Sequence, residues 1–238
     1  MPYSFRFRLI PLLVTIALCV VGVSLGQWQT RRALEKEQIA IMMSQRSQMT
    51  ALTSGQLTAP GEELAFHRIS LQGQFVVGLP LYLDNRPLHG VAGFYVLMPF
   101  KIHGSDQNLL VARGWQPRNP LTRTQMPELN TPGGTILLEG IARMNVDRVM
   151  QLGGAEKIIP NAILQNVNVA DVSRQTGLKL LSFVMEQTSA SSDGLQRDWP
   201  MPSAGSDKHR AYAFQWYALS LMAVIFFVVT GFSRGKNR

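Results

Sequence analysis

Residues His209–Arg238 read HRAYAFQWYALSLMAVIFFVVTGFSRGKNR, and the fold turns on that stretch. From Ala211 to Ser233 there are 23 residues without a charge, enough to cross a hydrocarbon layer ~30 Å thick at ~1.5 Å per residue. Tyr212, Trp216 and Tyr217 crowd the first turns, where amphipathic rings favour the headgroup level. Arg234, Lys236 and Arg238 close the run as a cationic stop. His209, Ala213 and Trp216 fall at i, i+4 and i+7, so they share one face of the expected helix where it enters the membrane. The stretch predicts a transmembrane helix.

Working outward, a second such run opens the chain. Arg6 and Arg8 precede uncharged residues from Leu9 to Thr30. A cleaved signal peptide shares the charged start and apolar centre, but this run is longer than a usual signal core and lacks a clear Ala-x-Ala site. Trp28 supplies an interfacial anchor before Arg31 and Arg32, so an uncleaved span is the expectation. Gly22 and Gly26 form a small-x-x-x-small pair that lets another helix approach closely, the second span being the nearest partner. They read equally well as glycines tolerated in a membrane helix. Two spans with short tails predict both termini in the cytoplasm and the loop of ~180 residues outside, since long loops translocate largely regardless of charge. The expected order is tail 1–8, first transmembrane helix 9–28, helical extension and loop 29–63, β-rich domain 64–188, polar tether 189–210, second transmembrane helix 211–233 and tail 234–238.

Between the spans the period changes to two. Ile69, Leu71, Gly73 and Phe75 alternate with polar neighbours, as a half-buried strand does. Leu79–Leu83, Phe94–Ile102, Leu109–Trp115, Ile136–Arg143 and Leu181–Gln187 read the same way, and Gly, Pro and Asn turns separate them. Six short strands suggest a mainly antiparallel barrel or sandwich. Asn168–Gln175 has the pattern of a short helix, capped by Asn168 and ended by Gly177.

Of the 238 residues, all 15 acidic and 18 of the 23 basic ones lie between Arg31 and Arg210. The net charge of +8 therefore falls to +3 there, and the rest flanks the spans. With no basic run interleaved with aromatics, nucleic acid is not an expected partner. The single cysteine, Cys19, lies inside the first apolar run. The region between the spans thus has no disulfide, no thiolate metal site and no C-x-x-C-H haem attachment.

Motifs for nucleotide, phosphate, zinc or serine-nucleophile chemistry are absent from the sequence. Asp84-Asn85-Arg86 places a carboxylate, an amide and a guanidinium together, as an interaction site or simply as a strand running into a turn. Arg113 and Trp115 fall on one strand face, where a guanidinium can stack or bind an acid, or merely pack over a core indole. His67, His89 and His103 are scattered. His209 differs, because a neutral imidazole at the water–lipid boundary can ligate haem iron with the porphyrin against the apolar span. The same position also suits a polar residue that only opens a helix.

Four blocks together resemble the Surfeit locus protein family, membrane proteins needed to assemble haem-copper cytochrome c oxidase. Gly26-Gln27-Trp28-Gln29-Thr30-Arg31-Arg32 is similar to its G-x-W-Q-x-x-R. Asp84-Asn85-Arg86 with Gly90 and Gly93, then Arg113-Gly114-Trp115, resemble its two central signatures. His209, Tyr212, Ala213, Gln215 and Trp216 resemble its closing H-x-x-Y-A-x-Q-W. With no Arg- and Ser-rich transit peptide, the resemblance is to a bacterial member, in the inner membrane with its domain in the periplasm. It implies an assembly factor and not an enzyme, one that holds haem A transiently or helps insert it into the largest oxidase subunit. Partners would be that subunit, other assembly factors and membrane lipids. His209 matches a position proposed as a haem contact and iron ligand. Trp216 and Tyr212, with Trp28 and Arg32 at similar depth on the other helix, are then the candidate haem neighbours. Asp84, Asn85, Arg86, Arg113 and Trp115 are the candidate interaction residues. The rival expectation is a scaffold without a cofactor that stabilises an oxidase assembly intermediate.

Overall fold

The structure, a computed structural model, describes residues 3–5, 7–58, 61–119, 121–122, 126, 128–146, 149, 157–200 and 205–234. Arg6, Lys236 and Arg238 of the cationic flanks lie outside the described residues, as does 201–204 in the segment read as a tether. In chain order, strand β1 (Tyr3–Phe5) precedes helix α1 (Leu9–Ser47). A 3-10 turn (Ser54–Gln56), α2 (Gly61–Leu64), β2 (Arg68–Phe75), β3 (Leu81–Leu83), β4 (Gly93–Ile102) and β5 (Asn108–Pro117) follow. Then come β6 (Ile136–Arg143), β7 (Ala162–Leu164), α3 (Val169–Thr176), β8 (Leu180–Gln187), α4 (Ser206–Gly231) and β9 (Phe232–Arg234). They form two units, residues 1–42 with 201–238, and residues 43–200.

In the first unit, α1 and α4 are each long and apolar enough to cross a membrane. Their apolar side chains point outward: Ile10 is 76% exposed, Phe214 73% and Phe226 68%. A core helix of a soluble protein would bury such residues, and continuous apolar surface of this extent is suited to lipid. β1 and β9 pair antiparallel, with Tyr3 opposite Arg234.

In the second unit, all six strands expected from the alternation are present. The ladder runs β2-β6-β8-β5-β4, and β4 returns to β2 through Gly73↔Ile102 and Phe75↔Phe100, which closes a five-stranded barrel. Closure leaves these strands no open edge among themselves. Inward rows fill the interior: Ile69, Leu71 and Phe75 of β2, Phe100 and Ile102 of β4, Val111 of β5, Leu138 of β6, and Phe183 and Met185 of β8. A second apolar layer covers the outer face of β4, β5 and β8, where Leu83, Leu97, Ala112, Leu164, Val172 and Val184 pack.

Pairing direction corrects the sequence reading in part. The sheet is mixed, because β5 pairs parallel with β8 and β3 parallel with β7. A parallel pair needs a long crossover, and the chain between β5 and β8 supplies one that includes β6, β7 and α3. Asn168 caps α3 by accepting from the Ala170 amide, and Gly177 closes it in the left-handed conformation that favours glycine. The polar segment after β8, read from composition as a tether, packs on the barrel in its described part: Leu195 is buried, Gln196 bridges to Trp115, and the Trp199 indole donates to the Gln187 carbonyl at 2.8 Å. Two apolar anchors and a backbone bridge outweigh its many serines.

Candidate functional site

The helix pair is built on small residues. Buried on α1 are Gly22, Gly26 and Ala33, and on α4 Ala213 and Ser220. A Cβ on Gly22 would overlap Ser220 Oγ and lie 3.1 Å from the Trp216 carbonyl, and one on Gly26 would sit 2.5 Å from the Tyr217 ring. Both glycines therefore permit backbone approach to α4, which is the close-packing use of such a pair in lipid. The Cys19 thiol reaches the Ser220 carbonyl at 3.5 Å, and the Thr30 and Tyr217 hydroxyls are 3.4 Å apart. Contacts on α4 fall in number as those on α1 rise, so the helices are antiparallel.

That alignment brings together residues 180 positions apart in the sequence. His209 Nδ1 lies 2.7 Å from Gln29 Oε1, and Arg210 pairs with Glu37 at 2.7 Å. A side-chain carbonyl oxygen can only accept, so this contact fits the neutral tautomer whose proton is on Nδ1. In that tautomer Nε2 would keep its lone pair, and it has no partner among the described residues. Helical spacing of about 100° per residue sets the neighbours. Tyr212 and Trp216, three and seven residues after His209, turn to the same flank of α4. Arg32, three after Gln29, turns to the same flank of α1, where it is bound to Glu35 at 2.7 Å. Trp28, four residues before Arg32, lies within about 40° of it on the same flank and is 48% exposed. The opposite flank carries an apolar groove of about 310 Å³ lined by Thr30, Ala33, Leu34, Arg210, Ala213, Phe214 and Tyr217.

The barrel residues singled out from sequence make two separate structural nodes. Arg86 is buried and donates to the Asp84 carbonyl at 2.6 Å and the Gln165 carbonyl at 3.0 Å. The Trp115 indole donates to the Arg86 carbonyl at 2.6 Å, Asp84 pairs with Arg118 at 3.2 Å, and Asn85 turns the chain with φ 58°. Arg113 does not join them. The β4–β5 register shifts between Val96 and Leu97, which makes Arg113 the extra residue of a bulge. Hence Arg113 and Trp115 do not share a face, contrary to the two-residue spacing. Trp115 packs in the outer layer, while Arg113 sits 4.5 Å over Phe75. Arg113 is fully buried and donates to Asp193 and to the Asn130 carbonyl, both at 2.9 Å, and to Thr131 at 2.8 Å. Arg197 donates to the same carboxylate at 2.6 Å. Burial pulls the Arg113 guanidinium below its usual value while Asp193 opposes the change, and burial raises the Tyr82 phenol nearby.

With that geometry in place, the comparison with known families is decisive: the SURF1 family matches residues 16–221, from inside α1 to the Gly22–Ser220 crossing and just beyond. The chain belongs to the SURF1 family. It is 25% identical over 224 residues to a SURF1-like protein of Rickettsia felis, covering 91% of this chain and 95% of that one. It is 24% identical over 216 residues to a SURF1-like protein of Rickettsia conorii, covering 87% and 85%. A SURF1-like protein of Rickettsia prowazekii is 24% identical over 220 residues. SURF1-family proteins are non-enzymatic assembly factors in cytochrome oxidase biogenesis, and this chain is one of them.

All four sequence blocks that carry the resemblance fall inside the matched span. In this SURF1-family chain the first and last blocks meet, through Gln29 and His209, and the two central ones hold the barrel and its loops together. Gln29 enters the sequence reading only as the glutamine of the first block, with no role, and Asp193 and Arg197 were not singled out. Asp193 lies in a segment whose composition reads as linker.

Proposed function

We propose that this SURF1-family protein is a two-span membrane protein that holds haem A on the His209 flank of its helix pair and helps deliver it to the largest oxidase subunit. Both termini lie in the cytoplasm and the barrel on the outer side, in the periplasm of a bacterium. The observation that carries the reading is the imidazole of His209, held at Nδ1 by Gln29 with Nε2 open. That donor set fits haem: a neutral nitrogen for iron, the Tyr212 and Trp216 rings on the same flank for the macrocycle, and Arg32 for a propionate. The Arg32–Glu35 pair is half exposed on both sides, so it exchanges partners at a cost of about 1 kcal/mol or less. Trp28, one turn before Arg32 on the same flank and 48% exposed, offers a further ring to the macrocycle at the interfacial depth that indoles favour. The reading requires an uncleaved first span, since removing it would take Gln29 from His209 and Thr30 from Tyr217.

The test is a difference spectrum of the full chain, purified in detergent from cells that make haem A. A haem signal is expected, with His209→Ala reducing it. A signal that His209→Ala leaves unchanged removes His209 from the site. Absence of any signal, together with oxidase-subunit co-purification from cells unable to make haem A, replaces this reading with the cofactor-free scaffold.

A further inference from the structure

We propose that Gln29 is the positioning residue that sets the tautomer and ring orientation of His209, so that Nε2 and not Nδ1 faces a ligand. The inference rests on the haem reading for its purpose, but its geometry does not depend on it. Neutral imidazole carries one proton on one of two nitrogens, and the nitrogen that donates a hydrogen bond is the one that keeps it. Free histidine in water favours the Nε2–H form, which would leave only Nδ1, the nitrogen crowded by its own backbone, to bind a metal. Gln29 Oε1, 2.7 Å from Nδ1, reverses that preference.

The contact also fixes the ring. His209 stands in the first turn of α4, with its own amide bonded to the Gly205 carbonyl at 3.4 Å. Its ring would otherwise rotate about two side-chain torsions. A hydrogen bond from α1, a separate helix held by the Gly22–Ser220 and Gly26–Tyr217 contacts, stops that rotation. The environment strengthens the bond, because His209 and Gln29 are both partly buried at the membrane boundary and hydrogen bonds gain strength in a lower dielectric. Metal-binding histidines generally donate their second N–H to a carbonyl or carboxylate, and losing that partner typically costs ~10–100-fold in metal affinity.

The experiment has a cargo-free arm and a loaded arm. In the first, ¹⁵N-histidine spectra of the full-length protein in micelles are recorded from cells that make no haem A. His209 is assigned by subtraction of His209→Ala. Nδ1 is expected to be protonated and Nε2 bare; Gln29→Leu shifts the population toward Nε2–H, and Gln29→Glu, which keeps an acceptor, preserves Nδ1–H. A wild-type Nε2–H form, or a tautomer that Gln29→Leu does not move, overturns the proposal.

In the second arm haem A is titrated into the same three proteins. Gln29→Leu is expected to weaken binding ~10–100-fold. Gln29→Glu should retain binding and lower the reduction potential, because a carboxylate makes the imidazole more electron-rich. Equal losses in Gln29→Leu and Gln29→Glu with no change in potential mean a role in helix packing only, and overturn positioning. If wild type binds no haem, the haem reading fails by itself while the first arm still decides the part played by Gln29.

Discussion

The helix pair makes a claim that one substitution can break. Gly26 has no room for a side chain: a Cβ there would lie 2.5, 2.7 and 2.9 Å from three atoms of the Tyr217 ring, where ordinary contacts run 3.4–4 Å. Gly26→Leu must therefore push Tyr217 aside or part the helices by roughly an ångström, and overpacking of this kind costs about 1–3 kcal/mol. Displacing Tyr217 also breaks its contact with Thr30. Interhelical hydrogen bonds in membranes average about 0.6 kcal/mol, so the two losses together centre on ~2.6 kcal/mol. At 1.4 kcal/mol per decade, the ratio of paired to separated helices should fall about 70-fold. Cys19, the chain's one cysteine, provides the assay because its sulfur lies 3.5 Å from the Ser220 carbonyl. In a Ser220→Cys background, oxidation should cross-link the two spans, and Gly26→Leu should slow that reaction strongly. Val21→Leu, at a position 53% exposed, serves as the control and should not. Cross-linking as fast in Gly26→Leu as in the control would refute the packing argument.

Asp193→Ala should strand the Arg113 guanidinium, which is fully buried beside a carboxylate that is 1% exposed. Breaking one side of such a pair costs about 3–5 kcal/mol, read as a drop in the melting midpoint of the full chain in detergent; a shift matching an exposed-site control would show that Arg113 finds other partners. Asn168→Ala removes the cap of α3 and should cost about 1 kcal/mol, and Asn168→Asp should recover it. Equal stability of all three would mean that the Ala170 amide is satisfied elsewhere.

Much of this fold is written locally. The second span announces itself through 23 uncharged residues with rings at one end and cations at the other. β2 is legible because Ile69, Leu71 and Phe75 are inward while Arg68, Gln72 and Gln74 face solvent. β7 is not, since three residues carry no period and its partner β3 is met in parallel some eighty positions earlier. Alternation also says nothing about pairing direction, so the mixed sheet was beyond it. The Arg113 bulge defeats the two-residue rule for a specific reason: a register shift between Val96 and Leu97 on a neighbouring strand decides which way Trp115 points. At the candidate site, His209 stood out by its place at a span entry. Gln29 was visible in the first block, but its pairing with His209 was not, because a hydrogen bond across 180 residues leaves no spacing to read.

The haem proposal assigns the cargo to the helices and not to the barrel, and what each unit leaves uncovered supports that choice. The barrel interior is filled by its own inward rows, and the Arg86 and Arg113 guanidiniums already face carbonyl oxygens, with a carboxylate as well at Arg113. Among the described residues no group of three or more His, Cys, Asp and Glu is placed to hold a metal ion. The helix pair has the complementary features. In lipid there is no hydrophobic drive to cover its flanks, so Tyr212 stays 53% exposed beside an imidazole with one nitrogen tied and one open. Under the haem proposal, a flat apolar molecule with a central metal and acidic edges would use all three: rings for its face, Nε2 for its metal, Arg32 for its edge. A single non-covalent ligand also allows release, which a thioether would prevent. The one thiol available for that chemistry is ten residues deeper along α1, turned to Ser220.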